Sequence, residues 1–198
     1  MDSNIIKEEM KIGGCNLVEV FGGGVINAVS GLSEMAGQEI TVTDMSFKKV
    51  LVKDVASFFG GPENIVVVIY LEMQGSTNGH MFVVYEPKVA FELIDLLLGQ
   101  AGGSTKELGE METSTLGEVG NIMGSYFLNH LSDNTGIRFQ PSPPAVMMDM
   151  AGAILDAALA RVLQHGDHAY IMETNFGTTE RKVTGTFMVM PDPGMEAL

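Results

Sequence analysis

The chain writes one pattern twice, and that repeat constrains its fold more than any other feature. With an offset of 99 residues, Leu32-Ser33-Glu34 falls on Leu131-Ser132-Asp133, Gly37 on Gly136 and Glu19 on Glu118. In each half a helical apolar pattern ends at a glycine, and a strand follows. A helix, its stop and the next strand repeated in one order imply duplication and a pseudo-two-fold arrangement. With 198 residues, neither half alone offers much core. The expectation is therefore a single α+β domain of two similar halves, about 12–108 and 109–198.

In the first half, Val18, Phe21, Val25, Val29, Leu32 and Met35 recur at helical spacing over 15–36. Gly22, Gly23 and Gly24 weaken that pattern, since each costs roughly 1 kcal/mol against alanine inside a helix. Alternation predicts a strand over 38–44, with Ile40 and Val42 inward, and a short helix over 53–59. Val- and Ile-rich runs at 64–74 and 80–86, separated by Gly75-Ser76-Thr77-Asn78-Gly79, predict a β-hairpin. A helix over 87–98 and a glycine-rich connection complete this half. The second half predicts helices over 114–131 and 150–163. Its strands are expected over 137–141, 169–175 and 182–190. Two matching antiparallel hairpins would form one continuous sheet with helices against it.

Composition narrows the partners. The chain holds 25 Asp and Glu against 11 Lys and Arg, too few cations for a broad phosphate-neutralising surface, which argues against nucleic acid. The lone cysteine, Cys15, excludes an internal disulfide framework and fits a reducing compartment. No signal peptide is visible, and no run of 18 apolar residues that would predict membrane insertion. A cytoplasmic location is the expectation.

Within the second-half helix, Ser114, Glu118 and Asn121 stand at i, i+4 and i+7, one stripe along one face. Ser125 extends the stripe and Asn129 lies beside it. Leu116, Val119, Ile122, Met123, Tyr126 and Phe127 form the opposing apolar arc. A carboxylate beside a carboxamide on a polar helix face is by itself compatible with ordinary solvation.

The pattern Ser-x3-Glu-x2-Asn, then Pro after 22 residues, is met by Ser114, Glu118, Asn121 and Pro144. It resembles the signature of the CheC family of chemotaxis phosphatases, relatives of CheX and of the flagellar switch protein FliY. Agreement extends through E-V-G-N-I-M-G-S-Y-F-L-N-H-L-S, P-S-P-P-A-V and D-M-A-G-A-I-L-D, and to V-I-N-A-V-S-G-L-S-E-M in the first half. Length and two-half layout match CheC rather than the shorter CheX. The resemblance implies hydrolysis of the aspartyl phosphate on the response regulator CheY. It implies Glu118 as docking anchor to a CheY lysine, Asn121 as the group that orients the attacking water, and Ser114 and Pro144 as residues shaping the site. No cofactor is expected on this chain, and the Mg2+ is expected on CheY.

The offset carries the motif onto Cys15, Glu19, Gly22 and Met45. Only the glutamate persists. Glycine has no amide with which to position water, so one active site, in the second half, is expected. The alternative reading is a non-catalytic binding module for the receptor deamidase CheD or for the flagellar switch. The segment after Pro144 resembles the CheD-binding stretch of CheC, with Asp149 as the residue of interest, although a charge there also suits a helix cap.

Other features read more simply. Cys15 has no neighbouring histidine in sequence and reads as an inert thiol. His165 and His168, with Asp167 between, lack a second ligand pair, so no metal site is expected. Gly22-Gly23-Gly24 lacks the spacing and lysine of a phosphate loop. The 15 methionines read as core filling, and Pro141, Pro143 and Pro144 as ending a strand and setting the chain path.

Overall fold

Residues equated by the 99-residue offset meet one another across the two long helices. The computed structural model describes residues 11–12, 14–162 and 168–192. After a two-stranded ladder of β1 (Lys11–Ile12) and β2 (Cys15–Asn16), helix α1 runs over Leu17–Ala36. The Asn16 side chain accepts hydrogen bonds from the N–H groups of Val18 and Glu19 and so caps the first turn. Helix α4 (Glu110–Thr135) starts where Glu112 reaches back to the Gly109 N–H at 3.2 Å. Both helices stop at a glycine in the left-handed region, Gly37 at φ 62° and Gly136 at φ 72°.

α1 and α4 pack antiparallel about a pseudo-two-fold axis. The Asn27 side-chain amide donates to the carbonyl of Tyr126, its own counterpart, at 3.0 Å. Gly23 lies against His130 and Gly31 against Ile122, the same pair of positions exchanged between halves. A Cβ on Gly24 would come within 2.7 Å of Phe127. Two of the three glycines that weaken the helical pattern, Gly23 and Gly24, are thus positions at which the second helix approaches, while Gly22 faces Met45. Their propensity cost is offset by burial of Val25, Ala28, Phe127 and Leu131.

The strands continue the exchange. β3 (Thr41–Leu51), β4 (Ile65–Gly75), β5 (Gly79–Tyr85), β6 (Phe139–Pro141), β7 (Ala145–Met150), β8 (His168–Gly177) and β9 (Lys182–Pro191) form one antiparallel sheet. Its order is β3-β8-β9-β5-β4-β6, with β7 also paired to β4. Matching β3 with β6 and β7, β4 with β8, and β5 with β9 reads the order back in reverse. Each half therefore hydrogen-bonds to the other at β3–β8, β9–β5 and β4–β7, and the fold is α+β.

The sheet is covered on both faces. Val67, Ile69, Leu71 and Met73 of β4 pack toward α1 and α4, while Val66 and Val68 face a second cluster with Val55, Ala151, Ile154 and Leu155. Those residues belong to α2 (Val55–Phe58) and α5 (Ala151–Val162). Burial on both faces explains why β4 reads as a continuous apolar run and not an alternation. Helix α3 (Pro87–Leu97) adds Ala90, Leu93 and Ile94 to the first cluster. Its Asp95 carboxylate, fully buried, accepts from the Ser104 N–H, the Thr105 N–H and the Thr105 hydroxyl at 2.7–2.9 Å. These bonds hold the connection that leads to α4.

Several elements depart from the sequence expectation. α4 is longer than 114–131 at both ends, because Glu110 and Glu112 favour its N-terminus while Ser132 and Thr135 bond back to Leu128 and Leu131. β3 spans 41–51, where the alternation predicts a strand over 38–44. Ile40, though buried, precedes the strand and exchanges two hydrogen bonds with the Ser33 hydroxyl. β7 was not expected. Its six residues pair along β4 and, among the described residues, with no other strand; Ala145, Met148, Asp149 and Met150 are exposed, and no alternation marks them.

Candidate functional site

The polar stripe of α4 faces solvent. Ser114, Glu118 and Asn121 are all exposed, and the Asn121 amide donates to the Glu118 carboxylate at 3.4 Å. The buried side of the same turns, Leu116, Val119 and Met123, locks the helix to the sheet. Between these two sides lies Gly120. A Cβ there would stand 2.5 Å from Ile69 Cγ2 and 2.9 Å from Pro144 Cβ. Pro144 therefore abuts the helix one residue from Asn121 in sequence, and only glycine permits that approach.

The segment carrying Pro144 is pinned from the other side. Ser142 N–H donates to the Glu72 carbonyl and Ser142 Oγ accepts from the Glu72 N–H, both at 2.9 Å. Sequence reasoning missed the contacts of Gly120, of Ser142 and of Gly124, where a Cβ would stand 2.9 Å from Leu71 Cδ2 and 3.6 Å from Pro141 Cβ. The signal was available in the two glycines, which interrupt the apolar arc of a helix and imply a close neighbour.

The first-half counterparts are arranged differently. Glu19 is exposed, but Gly22 is buried and the Met45 methyl lies 3.6 Å from where its Cβ would be. Cys15 is half-buried, with its thiol donating to the Asn134 carbonyl at 3.1 Å. Asp149 lies on β7 and not at a helix start, opposite Val66, and its carboxylate accepts from the Met150 N–H at 2.7 Å. Exposed Met148 and Met150 flank it. His165 and Asp167 lie outside the described residues, and His168 opens β8. Among the described residues no group of three His, Cys, Asp or Glu is placed to hold a metal ion.

The helical face is acidic throughout. α1 carries Glu19 and Glu34, α4 carries Glu110, Glu112, Glu118 and Asp133, and neither contains Lys or Arg. The Tyr126 hydroxyl donates to Glu34 at 2.6 Å, and that bond raises the phenol above its ordinary range. Such a surface favours a cationic partner and repels a free phosphate. Chemically, a carboxylate can anchor an ammonium group, while the neutral amide beside it can both donate and accept hydrogen bonds to water.

A fold of two cross-paired halves with a Glu–Asn pair on one of its paired helices defines the class. The profile of the CheC-like family matches residues 111–148, the span from the first turn of α4 past Pro144 and into β7. The CheY-P phosphatase CheC of Bacillus subtilis (strain 168) is 31% identical over 195 residues, covering 96% of this chain and 91% of that protein. FliY of Thermotoga maritima superposes with a TM-score of 0.72 at 24% identity, over 87% of this chain and 86% of that one. CheX in a CheX-CheY-BeF3-Mg+2 complex from Borrelia burgdorferi gives 0.54 at 20% identity, over 89% and 98%. The chain belongs to the CheC family. Among the described residues no helix is long and apolar enough to cross a membrane.

Proposed function

We propose that this chain is a phosphatase acting on phosphorylated CheY through a single site on α4. The observation that carries the reading is the solvent-facing Glu118–Asn121 pair, in mutual contact and braced by Pro144 through Gly120. Its support from kinship is the 31% identity, over nearly the whole chain, to a CheY-P phosphatase. Glu118 anchors a lysine of CheY, and the acidic helical face steers that partner in. Asn121 then reaches the phosphorylated aspartate and holds a water in line with the phosphorus. Water oxygen bonds to phosphorus as the acyl oxygen–phosphorus bond breaks, leaving aspartate and inorganic phosphate. An acyl phosphate is reactive enough that orientation replaces a strong base, and an amide adds no negative charge beside it. The divalent cation belongs to CheY. Ser114 and Pro144 shape the site, and the first half lacks the amide needed for hydrolysis.

The experiment is phosphate release from phosphorylated CheY with wild type and Asn121→Ala. Wild type should accelerate release and Asn121→Ala should lose on the order of 10²-fold of that gain. Full activity in Asn121→Ala would refute the assignment. A second reading, a binding module for CheD, draws on Asp149 standing between exposed Met148 and Met150. Wild type that stays inactive alone and with CheD added, while binding CheD, would favour it.

A further inference from the structure

The first-half face of α1 has lost the means of hydrolysis but kept the means of docking. Glu19 occupies the position of Glu118 under the same offset, and the two helices are related by the exchanged contacts Gly23–His130 and Gly31–Ile122. Glu19 is exposed, α1 also carries Glu34, and it has no Lys or Arg. Its charge is thus complementary to the same kind of lysine-bearing surface. Where α4 places Ser125, α1 places Ile26, which is 53% exposed on the same stripe as Glu19, while Val20, Phe21, Val25 and Val29 of the opposite side are buried. An isoleucine two turns along the same stripe as the anchor gives a docking partner apolar area to bury. Gly22, under the Met45 methyl, sends no polar group toward the partner.

From this geometry we infer that α1 holds a second phosphorylated receiver protein of the same kind without hydrolysing it. The chain then carries one hydrolytic and one holding site on opposite ends of its helix pair. This rests on the reading of α4 as a CheY site. A receiver bound through Glu19 meets no amide at the position of Asn121, so its acyl phosphate faces unoriented water and keeps its ordinary lifetime.

The test counts receivers per chain by calorimetry with the full chain and CheY activated by beryllium fluoride and Mg2+. Wild type should bind two. Glu118→Lys should bind one, and phosphorylated CheY mixed with that variant should lose phosphate no faster than CheY alone. Glu118→Lys combined with Glu19→Lys, or with Ile26→Asp as an independent variant, should bind none. All are surface changes, and circular dichroism verifies folding. A wild-type chain that hydrolyses CheY phosphate but binds one receiver, with none left in Glu118→Lys, overturns the holding site and leaves the α4 reading standing. Accelerated phosphate loss with Glu118→Lys overturns it equally. A wild type that neither binds nor hydrolyses removes both.

Discussion

Gly117 and Gly120 stand three residues apart in α4, and alanine at each should shift stability in opposite directions. Both lie inside the helix, where replacing glycine by alanine gains up to about 1 kcal/mol through backbone entropy. A Cβ on Gly117 meets nothing within 4 Å, so Gly117→Ala should realise most of that gain. On Gly120 the Cβ meets Ile69 Cγ2 at 2.5 Å and Pro144 Cβ at 2.9 Å. Neither neighbour can swing away, since one is the branch methyl of a β-branched side chain in a central strand and the other is a ring carbon. Overpacking at rigid contacts costs about 1–3 kcal/mol. Taking the upper end, Gly120→Ala should be destabilised by about 2 kcal/mol after the propensity gain is subtracted. Urea unfolding with a slope of about 2 kcal/mol/M places the midpoints roughly 0.5 M above wild type for Gly117→Ala and about 1 M below for Gly120→Ala. If both midpoints rise together, the close approach of α4, β4 and Pro144 is not what requires glycine at 120.

Asp95 links stability to pH: burial pushes its carboxyl up, but hydrogen bonds from Thr105, Ser104 and Gly103 bring it below the ordinary 3.8. Its contribution is present above that value and lost as pH falls through the lower folded one. Asp95→Asn should therefore cost about 1–3 kcal/mol at pH 7 and converge on wild type in acid-unfolding experiments below about pH 4; a gap independent of pH would contradict this. Tyr126 titrates above its ordinary range because its phenol donates to Glu34, with smaller contributions from desolvation and from the charge of Glu34. Alkaline difference spectra should show one tyrosine component moving to lower pH in Glu34→Gln, and an unmoved curve would mean the pair does not persist in solution. Any stabilisation from that pair is present below the ordinary tyrosine value and lost as pH rises through the folded one.

Much of the helix layer was legible because its periodicity and its glycine stops are local signals. The offset read in sequence equates Asn27 with Tyr126, but that these two meet was decided by the packing of α1 on α4. β7 was not legible. This strand of six residues shows neither alternation nor a continuous apolar run, and the prolines before it suggested only an ending. Its pairing is supplied by β4, which lies far earlier in the chain.

The candidate site divides the same way. Residue type and spacing alone place Ser114, Glu118 and Asn121 on one helical stripe and leave Gly22 without an amide, because side-chain chemistry and 3.6 residues per turn are local properties. That the stripe faces solvent, that Pro144 presses on Gly120, and that Met45 covers Gly22 are contacts between segments distant in sequence. They arise only when the cross-paired sheet brings both halves together, so no window of sequence contains them.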